Sequence, residues 1–315
     1  MSRLISYVIP CYRSENTIES VVAEIRELQG KHLEDEYEII LVNDSSPDNV
    51  WNTIKKLTQQ YDNITGLCLS KNFGQHAALL AGYREAKGDV VVSIDDDGQI
   101  AVEDTYKLID RLDDGFDVVY GKYHVKKHNK FRNLGSWLCG WMMVHIMDVP
   151  RNFAGSSFYV ARRYVMEEME KYPNAYVFLP GLVFRTTNKV DSVFVGHRSR
   201  TMGESGYTIG KLIALWVNGA TTFSVKPLRI SSFLGCIIAL LGVIASFMVV
   251  IKKLLHPEMV AGWSSLMAVT LVLCGTILIV LGMVGEYVGR LYMGFNQTPQ
   301  YVIREKAGVE IKDER

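Results

Sequence analysis

The chain has 315 residues, enough for one domain of typical or large size and a further segment. Lysine and arginine together number 34, as do aspartate and glutamate, so the overall charge gives no indication of a nucleic-acid partner. The five cysteines are odd in number and lack Cys-x-x-Cys spacing, which argues against a disulfide framework or a zinc site.

The first hundred residues alternate between strand and helix patterns. Strands are predicted over four segments: 5–10, 37–44, 65–69 and 90–94. Four helices are predicted. The first covers 15 to about 28, the second has Pro47 in its first turn, the third ends at about 86, and the fourth begins near 102. This spacing predicts an α/β fold, a mainly parallel sheet with helices on both faces. The strand pattern begins at Ile5, so we expect no signal peptide.

The fourth predicted strand runs into three consecutive carboxylates, Asp95, Asp96 and Asp97. Side chains alternate along an extended chain, so a persisting strand would point Asp95 and Asp97 one way and Asp96 the other. Two carboxylates at the carboxyl end of a parallel strand suit a hard divalent cation that carries phosphate oxygens. The alternative is an acidic turn that caps the helix starting near Val102.

Asp44 ends the second predicted strand and is expected on the same rim of the sheet. Helix capping is the commoner use of an aspartate at such a place. Because Pro10, Tyr12 and Glu15 follow the neighbouring strand, Asp44 is also placed to accept hydrogen bonds from the base or ribose hydroxyls of a nucleotide. No Gly-x-Gly-x-x-Gly or P-loop motif occurs, which counts against a dinucleotide fold and a P-loop.

Two long uncharged stretches follow, 22 residues over 230–251 and 27 residues over 259–285. Each is long enough to cross a hydrocarbon core of about 30 Å as a helix. Buried core helices are the alternative, but two stretches in tandem favour a membrane hairpin. An even number of spans leaves both flanks on one side. Basic flanking residues favour the cytosol for that side: Lys226, Arg229, Arg290, Arg304 and Lys306.

The segment 211–229 has an amphipathic pattern, with Leu212, Leu215, Trp216 and Phe223 within helical reach of one face. We predict a membrane-surface helix there, with a core helix of the soluble domain as the alternative. The predicted organisation is a cytosolic α/β domain over 1–210, the interfacial helix over 211–229, two membrane helices within 230–289 (about 230–251 and 262–287) and a cytosolic tail over 290–315.

Seven short motifs, in order along nearly the whole chain, resemble those of family 2 glycosyltransferases. Four are early: Ile9-Pro-Cys-Tyr-Arg-Ser-Glu15, Val42-Asn-Asp-Ser-Ser46, Lys71-Asn-Phe-Gly-Gln-His76 and Ile94-Asp-Asp-Asp-Gly-Gln99. Three later ones resemble the branch that makes polyprenyl-phosphate sugars, which includes dolichyl-phosphate mannose synthase-like enzymes: Gly203-Glu-Ser-Gly-Tyr207, Lys226-Pro-Leu-Arg229 and Gly285-Glu-Tyr-Val-Gly-Arg290. The resemblance implies a GT-A fold, a nucleotide-sugar donor, Mg²⁺ or Mn²⁺, and a polyprenyl (undecaprenyl) phosphate acceptor.

The resemblance also implies roles for individual residues. Nucleotide-sugar binding is implied for Pro10, Tyr12, Glu15, Asp44, Asp95 and Asp96, with Asp96 the poorer candidate because it is expected to face away. Metal binding is implied for Asp95, Asp97 and Gln99. The basic run that ends at Arg132 matches the acceptor side of the family. We expect the acceptor phosphate to be held by Lys126, Lys127, Arg132, Arg198 and Arg200, and the catalytic residues to be Asp97 and Arg132.

Three departures from the family pattern lie mostly in the sugar and acceptor half. Arg13 stands where many relatives have asparagine. The stretch 152–160 lacks the usual acid and has Phe158-Tyr159 in place of Phe-Arg. Gly206 replaces a usual lysine, for which Lys211 is a candidate substitute. These changes bear on the identity of the sugar more than on the type of reaction.

The implied reaction is inverting transfer of one sugar, with a UDP-sugar preferred, at the cytosolic face of the cytoplasmic membrane for the synthesis of cell-envelope glycans. A homo-oligomer and a flippase are candidate partners. A processive polysaccharide synthase is one alternative, disfavoured by the few spans and the absence of Gln-x-x-Arg-Trp. A non-catalytic scaffold is the other, disfavoured because Asp44, Asp95, Asp97 and Arg132 are all present.

Overall fold

The computed structural model describes residues 2–123, 156–175, 177–196, 198, 225–255, 262–296 and 298–308. Within these residues, eight strands form one sheet in the order β7-β5-β6-β4-β1-β2-β3-β8. The strands are β1 (Leu4–Cys11), β2 (Glu36–Asn43), β3 (Ile64–Leu69), β4 (Val90–Ser93), β5 (Val118–Lys122), β6 (Tyr159–Arg162), β7 (Val190–Phe194) and β8 (Ile303–Ala307).

The described helices are α1 (Ile18–Gly30), α2 (Val50–Gln60), α3 (Gln75–Glu85), α4 (Thr105–Asp113), α5 (Arg163–Glu170), α6 (Leu179–Thr186), α7 (Lys226–Leu255) and α8 (Trp263–Phe295). A 3₁₀ turn, Val102–Asp104, precedes α4, where the sequence predicts a helix start. The helix α2 begins at Val50, so Pro47 lies in the loop before it and the prediction that Pro47 occupies the first helical turn is wrong.

The four central strands β4, β1, β2 and β3 are parallel, and antiparallel pairs flank them on both sides. The buried side chains alternate between two apolar clusters along each strand: in β2, Ile39 and Leu41 belong to one cluster, and Ile40 and Val42 to the other. The first cluster contains residues of α1, α2 and α4, and the second contains residues of α3, α5 and α6. The predicted mainly parallel sheet with helices on both faces is therefore confirmed.

The helices α7 and α8 are long, apolar and exposed. Their candidate spans are Leu228–Ala245 and Val272–Phe295, of which 6% and 0% is buried inside the protein. A core helix would have a much larger buried fraction, because its apolar side chains pack inside the protein. Length and exposure together favour the predicted membrane hairpin over the alternative of two core helices.

The chain after the hairpin returns to the sheet. β8 pairs antiparallel with β3, with Gly66 opposite Ala307 and Cys68 opposite Glu305. The predicted tail over 290–315 thus includes both the last turns of α8 and an edge strand of the α/β domain. This pairing leaves the chain after α8 on the same side of the hairpin as the sheet. The predicted interfacial helix lies mostly outside the described residues, which resume at Val225.

Candidate active site at the carboxyl ends of the strands

A cavity of about 480 Å³ opens where β1, β2 and β4 end, at the edge where parallel α/β sheets bind their ligands. It is lined by Pro10, Cys11, Tyr12, Asp44, Asn72, Gly74, Gln75, Asp95, Asp96 and Asp97. Six residues predicted for the site therefore meet in one cavity. Glu15 and Gln99, also predicted, lie beside it and are not part of its lining.

Asp95 is held by two neutral side chains. Gln75 Nε2 donates to its Oδ1 at 2.8 Å, and Ser157 Oγ donates to its Oδ2. Burial raises the pKa of Asp95 to about 6, and the nearby charges of Asp97 and Asp96 act in the same direction. A carboxylate with a raised pKa and two acidic neighbours is stabilised by a bound cation.

The carboxylate triplet does not continue the strand. β4 ends at Ser93, and the chain turns at Asp96 and Asp97 before Gly98, which has a φ of +69°. Asp96 Oδ2 accepts the backbone N–H of Tyr12 at 2.8 Å, and burial raises the pKa of the Asp96 carboxyl. The expected alternation, with Asp96 facing away, assumed an extended strand and does not apply, because a turn places all three residues in the cavity lining.

Asp97 is half-buried, and its Oδ1 accepts the backbone N–H of Gln99 at 3.1 Å. Among the described residues, no group of three or more His, Cys, Asp or Glu side chains is arranged to hold a metal. The donor set is nevertheless the carboxylate oxygen that Mg²⁺ and Mn²⁺ prefer, and Mg²⁺ commonly takes one or two protein carboxylates and completes its shell with water and substrate phosphate. The residues therefore fit a metal that binds together with a phosphorylated ligand.

Asp44 lies at the end of β2, 3% exposed. Its two oxygens accept the backbone N–H groups of Phe73 at 2.7 Å and Gly74 at 2.8 Å. Burial raises the pKa of Asp44, and these two hydrogen bonds oppose the rise. The alternative that Asp44 caps the following helix is not supported, because Asp44 bonds to the loop before α3 and α2 has no side-chain cap.

Two neighbouring loops are fastened to each other on the Asp44 side of the cavity. Arg13 N donates to Ser46 Oγ at 2.7 Å, and Glu15 N donates to Asp48 Oδ2 at 3.0 Å. In return, Glu15 Oε2 accepts the N–H of Asn49 at 3.1 Å. Glu15 thus joins the loop after β1 to the loop after β2. Arg13 also has a φ of 59°, a left-handed value that asparagine adopts more easily than arginine.

Of the five residues predicted to bind the acceptor phosphate, the structure describes Arg198. Lys126, Lys127, Arg132 and Arg200 lie outside the described residues. The guanidinium of Arg198 is bound instead by two carboxylates, with Nη1 at 2.8 Å from both Glu24 oxygens and Nη2 at 3.1 Å from Glu103. Because these acids already neutralise Arg198, the geometry does not favour its predicted role as a phosphate ligand.

The two residues whose side chains bond to Asp95 were not singled out from the sequence, and neither were Cys11, Asn72 and Gly74 of the cavity lining. Gln75 lies in the Lys71–His76 motif, and its position as the first residue of α3, directly after the loop bound by Asp44, is the signal that was available. Ser157 lies in the 152–160 stretch that lacks the usual family acid. Its hydroxyl bonds to Asp95, and nothing in the sequence pattern indicates that contact.

Comparisons with known proteins identify the family of the chain. The model of the family "Glycosyl transferase family 2" matches residues 6–163, and the model "GtrB C-terminal hairpin" matches residues 226–291. An uncharacterised glycosyltransferase, YkcC of Bacillus subtilis, is 30% identical over 99% of this chain and 97% of its own length. An undecaprenyl-phosphate 4-deoxy-4-formamido-L-arabinose transferase of Proteus mirabilis is 29% identical over 97% of this chain and 94% of its own length.

Solved structures show the same fold. Glucosyl-3-phosphoglycerate synthase from Mycobacterium tuberculosis, in complex with Mn²⁺ and UDP-glucose, aligns with a TM-score of 0.51 at 20% identity, covering 70% of this chain and 77% of that one. The likeness establishes a GT-A architecture for the sheet domain. With the sheet, the site at its carboxyl edge and the family match over 6–163, the chain belongs to glycosyl transferase family 2.

Proposed function

We propose that this protein transfers one sugar from a nucleotide-sugar, with a UDP-sugar preferred, to the phosphate of undecaprenyl phosphate or a related polyprenyl phosphate. The observation that carries the proposal is a single chain with both an acidic cavity at the strand ends and an exposed apolar hairpin. The first suits a phosphorylated sugar donor with a metal, and the second holds the enzyme where a lipid phosphate is found. The named undecaprenyl-phosphate transferase relatives support the acceptor.

The donor would lie across the cavity. The Tyr12 side chain is 44% exposed, which suits stacking against a flat base, and the Asp44 edge of the cavity would face the nucleoside. Asp97 and Asp95 would hold the metal with the diphosphate, and Gln99 beside them positions the Asp97 carboxylate through its N–H. A divalent cation there supplies positive charge that offsets the charge on the departing nucleoside diphosphate.

The acceptor needs no general base. A phosphate monoester with a second pKa near 6 is already largely dianionic at neutral pH, unlike an alcohol, which must lose a proton during attack. The work of the site is then to position the reactants and to neutralise charge. We propose direct displacement with inversion at the anomeric carbon, with Arg132, Lys126, Lys127 and Arg200 as candidates to hold the acceptor phosphate.

We further propose that the site faces the cytosol from the cytoplasmic membrane. The basic residues Lys226 and Arg229 begin α7, and Arg290 lies near the end of α8, which is the side where the positive-inside rule expects such residues. The sheet lies on this side, because β8 follows α8 directly and pairs with β3. A nucleotide-sugar made in the cytosol would reach the cavity without crossing the membrane.

The test is to incubate proteoliposomes of the protein and undecaprenyl phosphate with a panel of nucleotide-sugars, with and without Mg²⁺ or Mn²⁺. We expect mass spectrometry of the lipid to show one sugar per lipid for one donor, dependent on the metal. A lipid-linked polymer would instead support a processive synthase. Binding of donor without any lipid product from the panel would support a scaffold and overturn the proposal.

A further inference from the structure

The chain leaves the membrane hairpin through a short tether. α8 ends at Phe295, and Gln300 follows five residues later. Five residues of fully extended chain reach at most about 18 Å. Although it lies so close to the end of a candidate span, Gln300 is only 9% exposed. A glutamine amide is strongly polar, so its burial requires partners in the α/β domain.

Gln300 has those partners. Its Nε2 donates to the backbone carbonyls of Tyr172 at 2.5 Å and Asn174 at 3.0 Å, and its Oε1 accepts from Arg84 Nη2 at 3.0 Å. The amide therefore joins the loop after α5 to the end of α3. The last turn of α8 reaches the same loop, because a Cβ on Gly294 would lie 2.6 Å from Asn174 Oδ1.

Arg84 makes further hydrogen bonds between α3 and the residues that follow α8. Its Nη1 donates to the hydroxyl of Tyr301 at 3.0 Å, and its Nη2 donates to the carbonyl of Glu170 at 3.0 Å. Arg84 is in the last turn of α3, so the residues that follow the hairpin are bonded to the C-terminus of that helix. Beyond them, Lys306 pairs with Glu85.

The opposite end of α3 lies in the candidate active site. Asp44 binds the N–H of Gly74 just before the helix, and Gln75, its first residue, donates to Asp95. The helix has 11 residues and is therefore about 16 Å long. It packs tightly on the sheet, because a Cβ on Gly82 would lie 2.3 Å from Val8 Cγ1. One rigid helix thus connects the membrane junction to the cavity.

We propose that Gln300, Arg84 and Tyr301 form a latch that fixes the position of the cavity relative to the membrane hairpin. These are positioning residues: they act through α3 and the loop after α5, and they lie outside the cavity lining. The latch matters for a reaction whose acceptor phosphate is held at the bilayer surface, because a small change in the height or tilt of the cavity moves it away from that phosphate. This inference rests on the proposed function.

The activity test compares Gln300→Ala with Gln29→Ala. Gln29 is also a buried glutamine, bonded to Tyr7 and Tyr106 at the far end of α1 from the cavity. For Gln300→Ala we expect at least a tenfold loss of transfer to undecaprenyl phosphate in proteoliposomes, with less than a twofold change in transfer to a short, water-soluble prenyl phosphate and in the Kd of UDP. Gln29→Ala should change transfer to the two acceptors by the same factor.

Tyr301→Phe removes only the hydroxyl that Arg84 binds, so it tests the latch if Gln300→Ala fails to fold. We expect the same selectivity for the bilayer acceptor with a smaller loss, about threefold. Equal losses on both acceptors, or no loss on either, would overturn the latch.

A distance measurement tests the latch without any turnover. A fluorescent amino acid at Leu33, which is 86% exposed, serves as the energy-transfer donor to labelled lipid head groups. The wild type and Gln29→Ala should give one narrow distance distribution, and Gln300→Ala a broadened one. An unchanged distribution refutes the latch even if the sugar transfer is demonstrated, and a broadened one supports it even if the proposed acceptor proves wrong.

Discussion

Asp44 and Asp95 follow two strands of one parallel sheet and line one cavity, yet their surroundings differ. Asp44 is 3% exposed and bonds to two backbone N–H groups, while Asp95 is half-buried and bonds to the side chains of Gln75 and Ser157. Burial raises the pKa of both carboxyls. Only Asp95 has two further carboxylates beside it, and its pKa reaches about 6.

The difference leads us to expect different consequences when the two carboxylates are substituted. Backbone donors are fixed by the chain, so Asp44 holds the loop before α3 in one conformation and gains hydrogen bonds that offset its burial. Around Asp95, Asp96 and Asp97 no described lining residue is basic, so repulsion among the three is left for a bound cation to relieve. We therefore expect substitutions in the triplet to affect activity, and substitutions of Asp44 to affect stability as well.

The largest expected effect is on activity. Asp97→Ala should reduce sugar transfer at least 100-fold, because it removes an oxygen that we propose binds the metal. The free energy of unfolding should change by less than about 1 kcal/mol, as for other partly exposed polar groups. Calorimetric titration of the donor with and without Mn²⁺ measures the binding part. If the wild-type protein binds the donor equally well in EDTA, the metal role of the triplet is wrong.

The next effect is on stability. Asp44→Asn keeps the shape of the side chain but turns an amide NH₂ toward the N–H of Phe73 or Gly74, leaving one buried donor without an acceptor. We expect a loss of about 1 to 3 kcal/mol in the free energy of unfolding. Denaturant unfolding in detergent measures it, with Asp97→Asn as the matched control. If Asp44→Asn loses no more free energy of unfolding than Asp97→Asn, the backbone hydrogen bonds of Asp44 do not set it apart in stability.

The last expected effect is a pH dependence, which is spread over about two pH units and is therefore the smallest at any one step of pH. The pKa of Asp95 is about 6 in the folded protein, against an ordinary value of 3.8 that applies to the unfolded chain, so the folded protein binds more protons between those values. Its contribution to stability is therefore complete below about pH 4 and is lost as the pH rises to about 6, by at most about 3 kcal/mol. Asp95→Asn should remove this slope from the melting temperature measured against pH without metal. A slope that persists in the variant would assign it to another group.

The central strands were predictable because each is a short apolar run bounded by turn residues. The observed ends of β1, β2 and β3 lie within one residue of the predicted ones. β8 was missed for a physical reason: Ile303-Arg-Glu-Lys-Ala307 is an edge strand with three charged residues, and such strands have no apolar alternation to detect. Charged edge strands are usual because they discourage pairing with other chains.

The residues that line the cavity were predictable in part, and their contacts were less so. A motif identifies Asp96 and Asp97, but the turn that follows Ser93 depends on long-range partners, such as the N–H of Tyr12. Likewise, the bond from Ser157 to Asp95 joins residues 62 positions apart. Local patterns contain no information about such pairs, which arise only when the sheet forms. The ion pair of Arg198 was unpredictable for the same reason, because its partner Glu24 belongs to α1, far away in the sequence.

The pairing of β8 with β3 constrains how the protein is made. Leu69 and Ile303 are paired in the ladder but lie about 230 residues apart in the chain, and both hairpin helices are synthesised between them. At a rate of about 5 to 20 residues per second, β3 has an unpaired edge for on the order of 10 to 50 s during synthesis. The sheet is completed only after the hairpin has been made, and until then the open edge of β3 is prone to pair with other chains.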